Sequence, residues 1–165
     1  MKKLLVISNH PPEKWAQEQK TGWDEIVYYQ FPQVDPAVNC APVIEDLAGV
    51  IEQVTGWRVV DTWANGERYA PEKVFVMHAK SPWFVCIQGD FSVTAGVAQK
   101  FCYAPNRLVF PTTERVVEEK EDGTKVSVFQ FVTWRTSTGK LLSEVLPIVE
   151  KYQKKERGNA QIKKN

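Results

Sequence analysis

The chain opens on an unbroken apolar run, Leu4-Leu5-Val6-Ile7. A run without polar alternation predicts a strand buried on both faces, central in a parallel sheet. It ends in Ser8-Asn9-His10-Pro11-Pro12. Pro11 excludes the helical region for His10, so Asn9 and His10 fall on a strand-end turn. Pro12 suits the first position of a helix, which the polar stretch Glu13 to Lys20 continues, with Trp15 as its anchor and Gly22 closing it. Glu25 to Tyr29 reads as the second strand, followed by a turn-rich passage from Phe31 to Cys40. Val43, Ile44, Leu47, Ile51 and Val54 then recur on one helical face, and Gly56 stops the pattern. Two short strand candidates, Arg58 to Asp61 and Val74 to Met77, flank the turn signal Asn65-Gly66. Which of them joins the main sheet stays open.

A second solid apolar run, Trp83 to Ile87, meets Gln88-Gly89-Asp90, and a helical pattern of Val93, Val97 and Phe101 follows directly. This is the outline of a buried strand, a tight turn and a helix start. Arg107 to Phe110 predicts the next strand, ending in Pro111-Thr112-Thr113-Glu114-Arg115. The β-rich runs Arg115 to Lys120 and Lys125 to Arg135 flank Asp122-Gly123, a hairpin signal. From Phe129 to Trp134 both faces are largely apolar, which predicts cover by a helix or a second subunit. Leu141, Leu142, Val145, Leu146, Val149 and Tyr152 mark a final helix, restarted or kinked at Pro147. The expected organisation is one domain over 1–153 and a polar tail over 154–165. Strands alternating with helices predict an α/β fold with a mostly parallel sheet, a C-terminal β-hairpin and a final helix.

The formal net charge of +1 argues against a broad nucleic-acid surface while leaving room for a small anionic ligand. Cys40, Cys86 and Cys102 are an odd count without close spacing, so neither a disulfide framework nor a zinc knuckle is expected. A reducing, cytoplasmic compartment follows. The apolar run at the N-terminus is too short for a signal peptide, and no run approaches a membrane span.

Candidate chemistry gathers at strand ends, where open parallel sheets bind ligands. Gly89 allows a close backbone approach. Asp90 or Ser92 can cap the following helix, and the free amides there suit a phosphate. The plain alternative is a βα turn with a capping Asp. A G-x-G-x-x-G dinucleotide fingerprint does not follow the first strand.

Three stretches, Gln88-Gly89-Asp90-Phe91, Thr112-Thr113-Glu114-Arg115 and Phe129-Gln130-Phe131-Val132-Thr133-Trp134-Arg135, together with the opening strand into Asn9-His10, resemble small stand-alone CRISPR-associated proteins of the Csx type. The resemblance covers most of Leu4 to Arg135, more weakly between Phe31 and Ser81. It implies a CARF-like, Rossmann-like domain acting as a homodimer. Such proteins bind cyclic oligoadenylate messengers of type III CRISPR systems, and several small ones, the ring nucleases, degrade the ring. Pro11-Pro12 departs from the family pattern in the loop that would meet the ligand.

Cleaving such a ring needs the ribose 2′-hydroxyl held in line with its phosphate, donors to that phosphate, and an acid or base. No metal or other cofactor is expected. His10 is the acid/base candidate, since histidine changes charge near neutral pH; the alternative is a histidine that caps a turn. Asn9 contacts phosphate or adenine, or else forms an Asx turn. Gln88 suits a base or ribose contact, and Ser92 and Thr94 can cradle a phosphate. Asp90 reads more as a helix cap than as a catalyst. Ser8, Gly89 and Phe91 complete the ligand-binding set at the two strand ends. Thr112, Thr113 and Arg115 form a second donor cluster, with Arg115, the second catalytic candidate beside His10, clamping phosphate or else pairing with Glu118 or Glu119. His78 reads as structural. The competing readings are a ring nuclease, a non-catalytic sensor of the same ligand, and an unrelated nucleotide-binding α/β protein.

Overall fold

A computed structural model describes residues 1–57, 59, 81–102, 104 and 106–151. The turn at Asn65-Gly66, the strand expected over 74–77, most of that over 58–61, His78 and the tail 154–165 lie outside the described residues.

Three parallel strands form the sheet: β1 (Lys3–Ser8), β2 (Glu25–Gln30) and β3 (Trp83–Gln88), in the order β2-β1-β3. β1 is central, as its apolar run predicts, with Leu5 facing Val27 on one side and Val85 on the other. Both of its faces are covered, which is why the run does not alternate. Leu5 and Ile7 pack with Leu47, Ile51, Val93, Val97 and Phe101. Leu4 and Val6 pack with Trp15, Trp134, Leu142, Val145 and Val149. Burying each of these side chains contributes roughly 1.5–3 kcal/mol before entropy is counted.

Helices α2 (Ala41–Thr55) and α3 (Phe91–Lys100) cover the first face. Gly56 ends α2 in the left-handed region at φ +71°, as its position predicts. On the second face lie the Trp15 segment and helix α4, over residues 142–151, which runs through Pro147.

The helix expected over Glu13 to Lys20 is not continuous. A 3-10 turn at Pro12–Lys14 and a short α1 at Gln17–Lys20 are separated by Trp15 and Ala16 in extended backbone. The break lets the Trp15 indole enter the core. It stacks at a tilt on Trp134 at 5.7 Å and donates from Nε1 to the His10 carbonyl at 3.0 Å.

The second departure concerns the region after Arg107. A strand ending at Pro111 to Arg115 is expected there, and none ends there. Residues Val109–Glu119 form one strand, β4, pairing antiparallel with β5 (Lys125–Thr136) through a turn where Gly123 takes φ +79°. Leu108 makes a single parallel bridge to Val85, so β4 leaves the edge of the sheet beside β3 and continues outward as a two-stranded ribbon. A β-bulge lies between Thr112 and Thr113. At the base of the ribbon Trp134 is buried against Trp15 and Trp23, and its indole donates to the Gln19 carbonyl. Further out, among the described residues, Phe129 is 69% exposed, and Val117 and Val132 are exposed as well.

Candidate functional site

The chain leaves β1 toward the Trp15 face and leaves β3 into α3 on the opposite face. Two neighbouring parallel strands whose connections part in this way open a crevice beyond their carboxyl ends. Ser8 is the register partner of Gln88, so Ser8-Asn9-His10 and Gln88-Gly89-Asp90 border the same crevice.

The floor of the crevice is built from buried groups. Ser8 has no exposed surface. Its Oγ accepts from the His10 amide at 3.0 Å, and its carbonyl accepts from the Tyr28 hydroxyl at 2.9 Å and the Phe31 amide at 3.1 Å. Ser8 therefore shapes the turn, and its side chain is not free to meet a ligand. Gly89 also serves the floor. A Cβ there would lie 2.4 Å from three carbons of the Phe31 ring. What approaches the Gly89 backbone closely is this core aromatic, and its φ is not positive. Tyr28 and Phe31 are site-building residues that the strand pattern does not flag as functional. The only sign of them in the sequence is an aromatic-rich strand end running into Pro32.

The walls are more open. Asn9 and His10 are exposed. The His10 backbone is fixed at both ends, by Ser8 Oγ on its amide and by Trp15 on its carbonyl. Its imidazole makes no hydrogen bond among the described residues. Gln88 is half-buried and Ser92 exposed. Asp90 caps α3, its Oδ1 accepting from the Val93 amide at 3.0 Å, as the capping reading holds. Thr94 turns inward: its hydroxyl is buried rather than offered to the crevice. Phe91 is 85% exposed at the first position of α3, a bare aromatic ring at the rim.

The second donor cluster is not at a strand end. Thr112, Thr113 and Arg115 lie within β4. Counting from the Val85–Leu108 bridge, Arg115 is four residues further along its strand than Gln88, a displacement of about 13 Å at the usual strand rise. Thr112 is nearly level with Gly89 by the same count. The Arg115 guanidinium donates from Nε and Nη2 to Ser127 Oγ at 2.9 and 2.7 Å. It makes no ion pair with Glu118 or Glu119 among the described residues.

Cys86 is buried in β3 and its thiol is pushed up by burial, which leaves it inert. Cys40, Cys86 and Cys102 are free thiols. Among the described residues no three His, Cys, Asp or Glu side chains cluster as a metal site. No helix among them is long and apolar enough to cross a membrane.

Fold and crevice define a parallel α/β protein with a strand-end site and a projecting β-ribbon. The chain belongs to the uncharacterized protein MJ1673 family, whose family model matches residues 2–135, from the first strand through nearly all of β5. No curated protein and no solved structure matches it.

Proposed function

We propose that this crevice binds cyclic oligoadenylate, most readily the tetra-adenylate ring, and that His10 assists its cleavage. The adjacency of the Asn9-His10 turn to Gln88-Gly89-Asp90 across the β1–β3 register carries the reading. In-line attack of a ribose 2′-hydroxyl on its phosphate would give linear products with 2′,3′-cyclic phosphate ends. That chemistry asks mainly for positioning, and a backbone-anchored, exposed imidazole suits the proton transfer. The exposed Phe91 ring offers a face on which adenine can stack. The reading includes a homodimer, a cytoplasmic location and control of type III CRISPR signalling, all carried by the resemblance of Gln88 to Phe91 and Thr112 to Arg115 to Csx-type proteins.

The distance of Arg115 from the crevice of its own chain favours a second reading, a module that binds the ring without cutting it. Ser8 and Asp90 already make structural hydrogen bonds, which leaves His10 as the acid/base candidate among the described residues at these strand ends.

The test is turnover of labelled cyclic tetra- and hexa-adenylate in the presence of chelator. Shorter adenylates in excess over protein, abolished in His10→Ala with ring binding retained, support the nuclease. Tight retention of the intact ring supports the sensor. Neither binding nor cleavage refutes both.

A further inference from the structure

One edge of β4 carries no strand partner along most of its length among the described residues. Beyond its single bridge to β3, the strand hydrogen-bonds only to β5 among the described residues, so one row of its backbone groups faces outward. The Lys120 amide donates to the Thr124 carbonyl and the Lys120 carbonyl accepts from the Gly123 amide, so Lys120 points its backbone toward β5. Alternation along the strand then directs the backbone groups of Thr113, Arg115, Val117 and Glu119 to the open edge. Pro111, which has no amide hydrogen, sits on the same row and closes it at the sheet end.

We propose that two copies pair antiparallel along β4, with the two-fold axis at Val117, forming a continuous sheet β5-β4-β4-β5. The register is selected by charge. Centring on Val117 sets Arg115 opposite the partner's Glu119 and Glu114 opposite the partner's Lys120, each occurring twice by symmetry. Centring on Val116 sets Glu114 against Glu118. Centring on Arg115 or Glu118 opposes each residue to its own copy. None of Glu114, Arg115, Glu119 and Lys120 makes an ion pair among the described residues, so their charges are available to a partner. Arg115 is held in place by Ser127 through two donors, leaving the rest of its guanidinium free.

The apolar content of the ribbon supports the same occupant. Val117 and Phe129 are exposed on one face, and Val116, Val126 and Val128 lie half-buried on the other. A two-stranded ribbon is marginal in water, whereas four strands are not. Pairing over Arg115 to Glu119 adds about six backbone hydrogen bonds, two from each of three facing pairs. It also lays Val117 beside its own copy. This interface deepens the homodimer proposed above but stands without any ligand, since no crevice residue takes part in it.

The experiment is sedimentation equilibrium of the full chain without nucleotide, with circular dichroism to verify folding. The wild-type chain is expected to be dimeric. Glu119→Lys and Arg115→Glu are each expected to weaken the dimer by roughly tenfold or more, because two opposite-charge pairs become two like-charge pairs. Mixed in equal amounts, the two variants are expected to form a heterodimer, in which Arg115 meets the native Glu119 of the partner at one site and the two substituted residues meet at the other. Val117→Pro, which removes an edge amide that β5 does not use, is expected to abolish pairing while the ribbon stays folded. A monomeric wild-type chain overturns the proposal. So does a dimer indifferent to all three substitutions, or a mixture that fails to restore association. Cleavage of cyclic tetra-adenylate by a monomer would overturn the interface alone, and a β4-paired dimer inert toward the ring would overturn the ligand reading alone.

Discussion

Gly89→Ala sets a single added methyl against a ring that has nowhere to go. The new Cβ would lie 2.4 Å from Cγ, Cδ2 and Cε2 of Phe31. Relief to ordinary contact needs a shift of about 1 Å. Phe31 is 3% exposed and packed within the α2–α3 core, so the ring cannot swing into solvent. Overpacking of this kind costs about 1–3 kcal/mol. Against it stands the smaller conformational freedom of alanine in the unfolded chain, worth about 0.4–1 kcal/mol, available because Gly89 does not need a positive φ. The net expectation is a loss of about 1–2 kcal/mol, read as a lower urea midpoint at unchanged slope. Phe31→Leu supplies the control. A branched, flexible side chain can vacate the space, so Gly89→Ala in that background should be neutral or stabilising by up to about 1 kcal/mol. The coupling between the two substitutions should then reach roughly 1–3 kcal/mol. Equal losses in both backgrounds, or a stabilised Gly89→Ala in the wild-type background, would refute the assignment of Gly89 to the floor of the crevice.

Other expectations follow from the same contacts. Gly96→Ala would bring its Cβ to 2.4 Å from Ile44 Cδ1, the far end of a flexible side chain. With about 0.8–1 kcal/mol of helix propensity in its favour, the change should be near neutral, and a loss above about 2 kcal/mol in the same urea assay would count against it. Asp90→Ala should cost about 1 kcal/mol by removing the cap on the Val93 amide, and Asp90→Asn should recover most of it. Equal losses for the two would show that the cap is not the reason. Asp122 accepts hydrogen bonds from the Thr124 hydroxyl and amide, which hold its carboxyl below the usual carboxylate range. Its contribution to the turn is present above the ordinary Asp value and is lost as pH falls through the lowered one. The Thr124 amide shift, followed by NMR, should therefore titrate with a midpoint below about 3.9, and a midpoint at or above that value would refute the bond.

Much of the architecture was legible in the order of residues because both periodicities are clean. Leu4 to Ile7 and Trp83 to Ile87 do not alternate, and a strand that does not alternate must be covered on both sides. Leu47 and Ile51, and likewise Val93, Val97 and Phe101, return on one helical face and are all buried. Asp90, Gly56 and Gly123 mark a cap, a helix stop and a hairpin turn by local chemistry that needs no distant partner. Local signals of this kind survive folding because they concern only neighbouring backbone groups.

What depended on contacts distant in sequence was not legible. Trp15 breaks an otherwise good helical stretch because its indole is drawn to Trp134, more than a hundred residues away, and tertiary packing outweighs helix propensity. Thr112 to Arg115 reads as a strand end because a proline such as Pro111 usually interrupts a strand. On a sheet edge Pro111 costs no ladder bond, so β4 runs on and carries Arg115 away from the crevice. Gly89 announces a close approach, but only the tertiary structure identifies the approaching group as Phe31. The sequence alone determined the parallel sheet, its covering helices and the hairpin, since these rest on period and turn chemistry. Tertiary structure decided where the candidate residues lie: Asn9, His10 and Gln88 at neighbouring strand ends, Arg115 out on a ribbon, because strand register and packing against remote side chains set those positions.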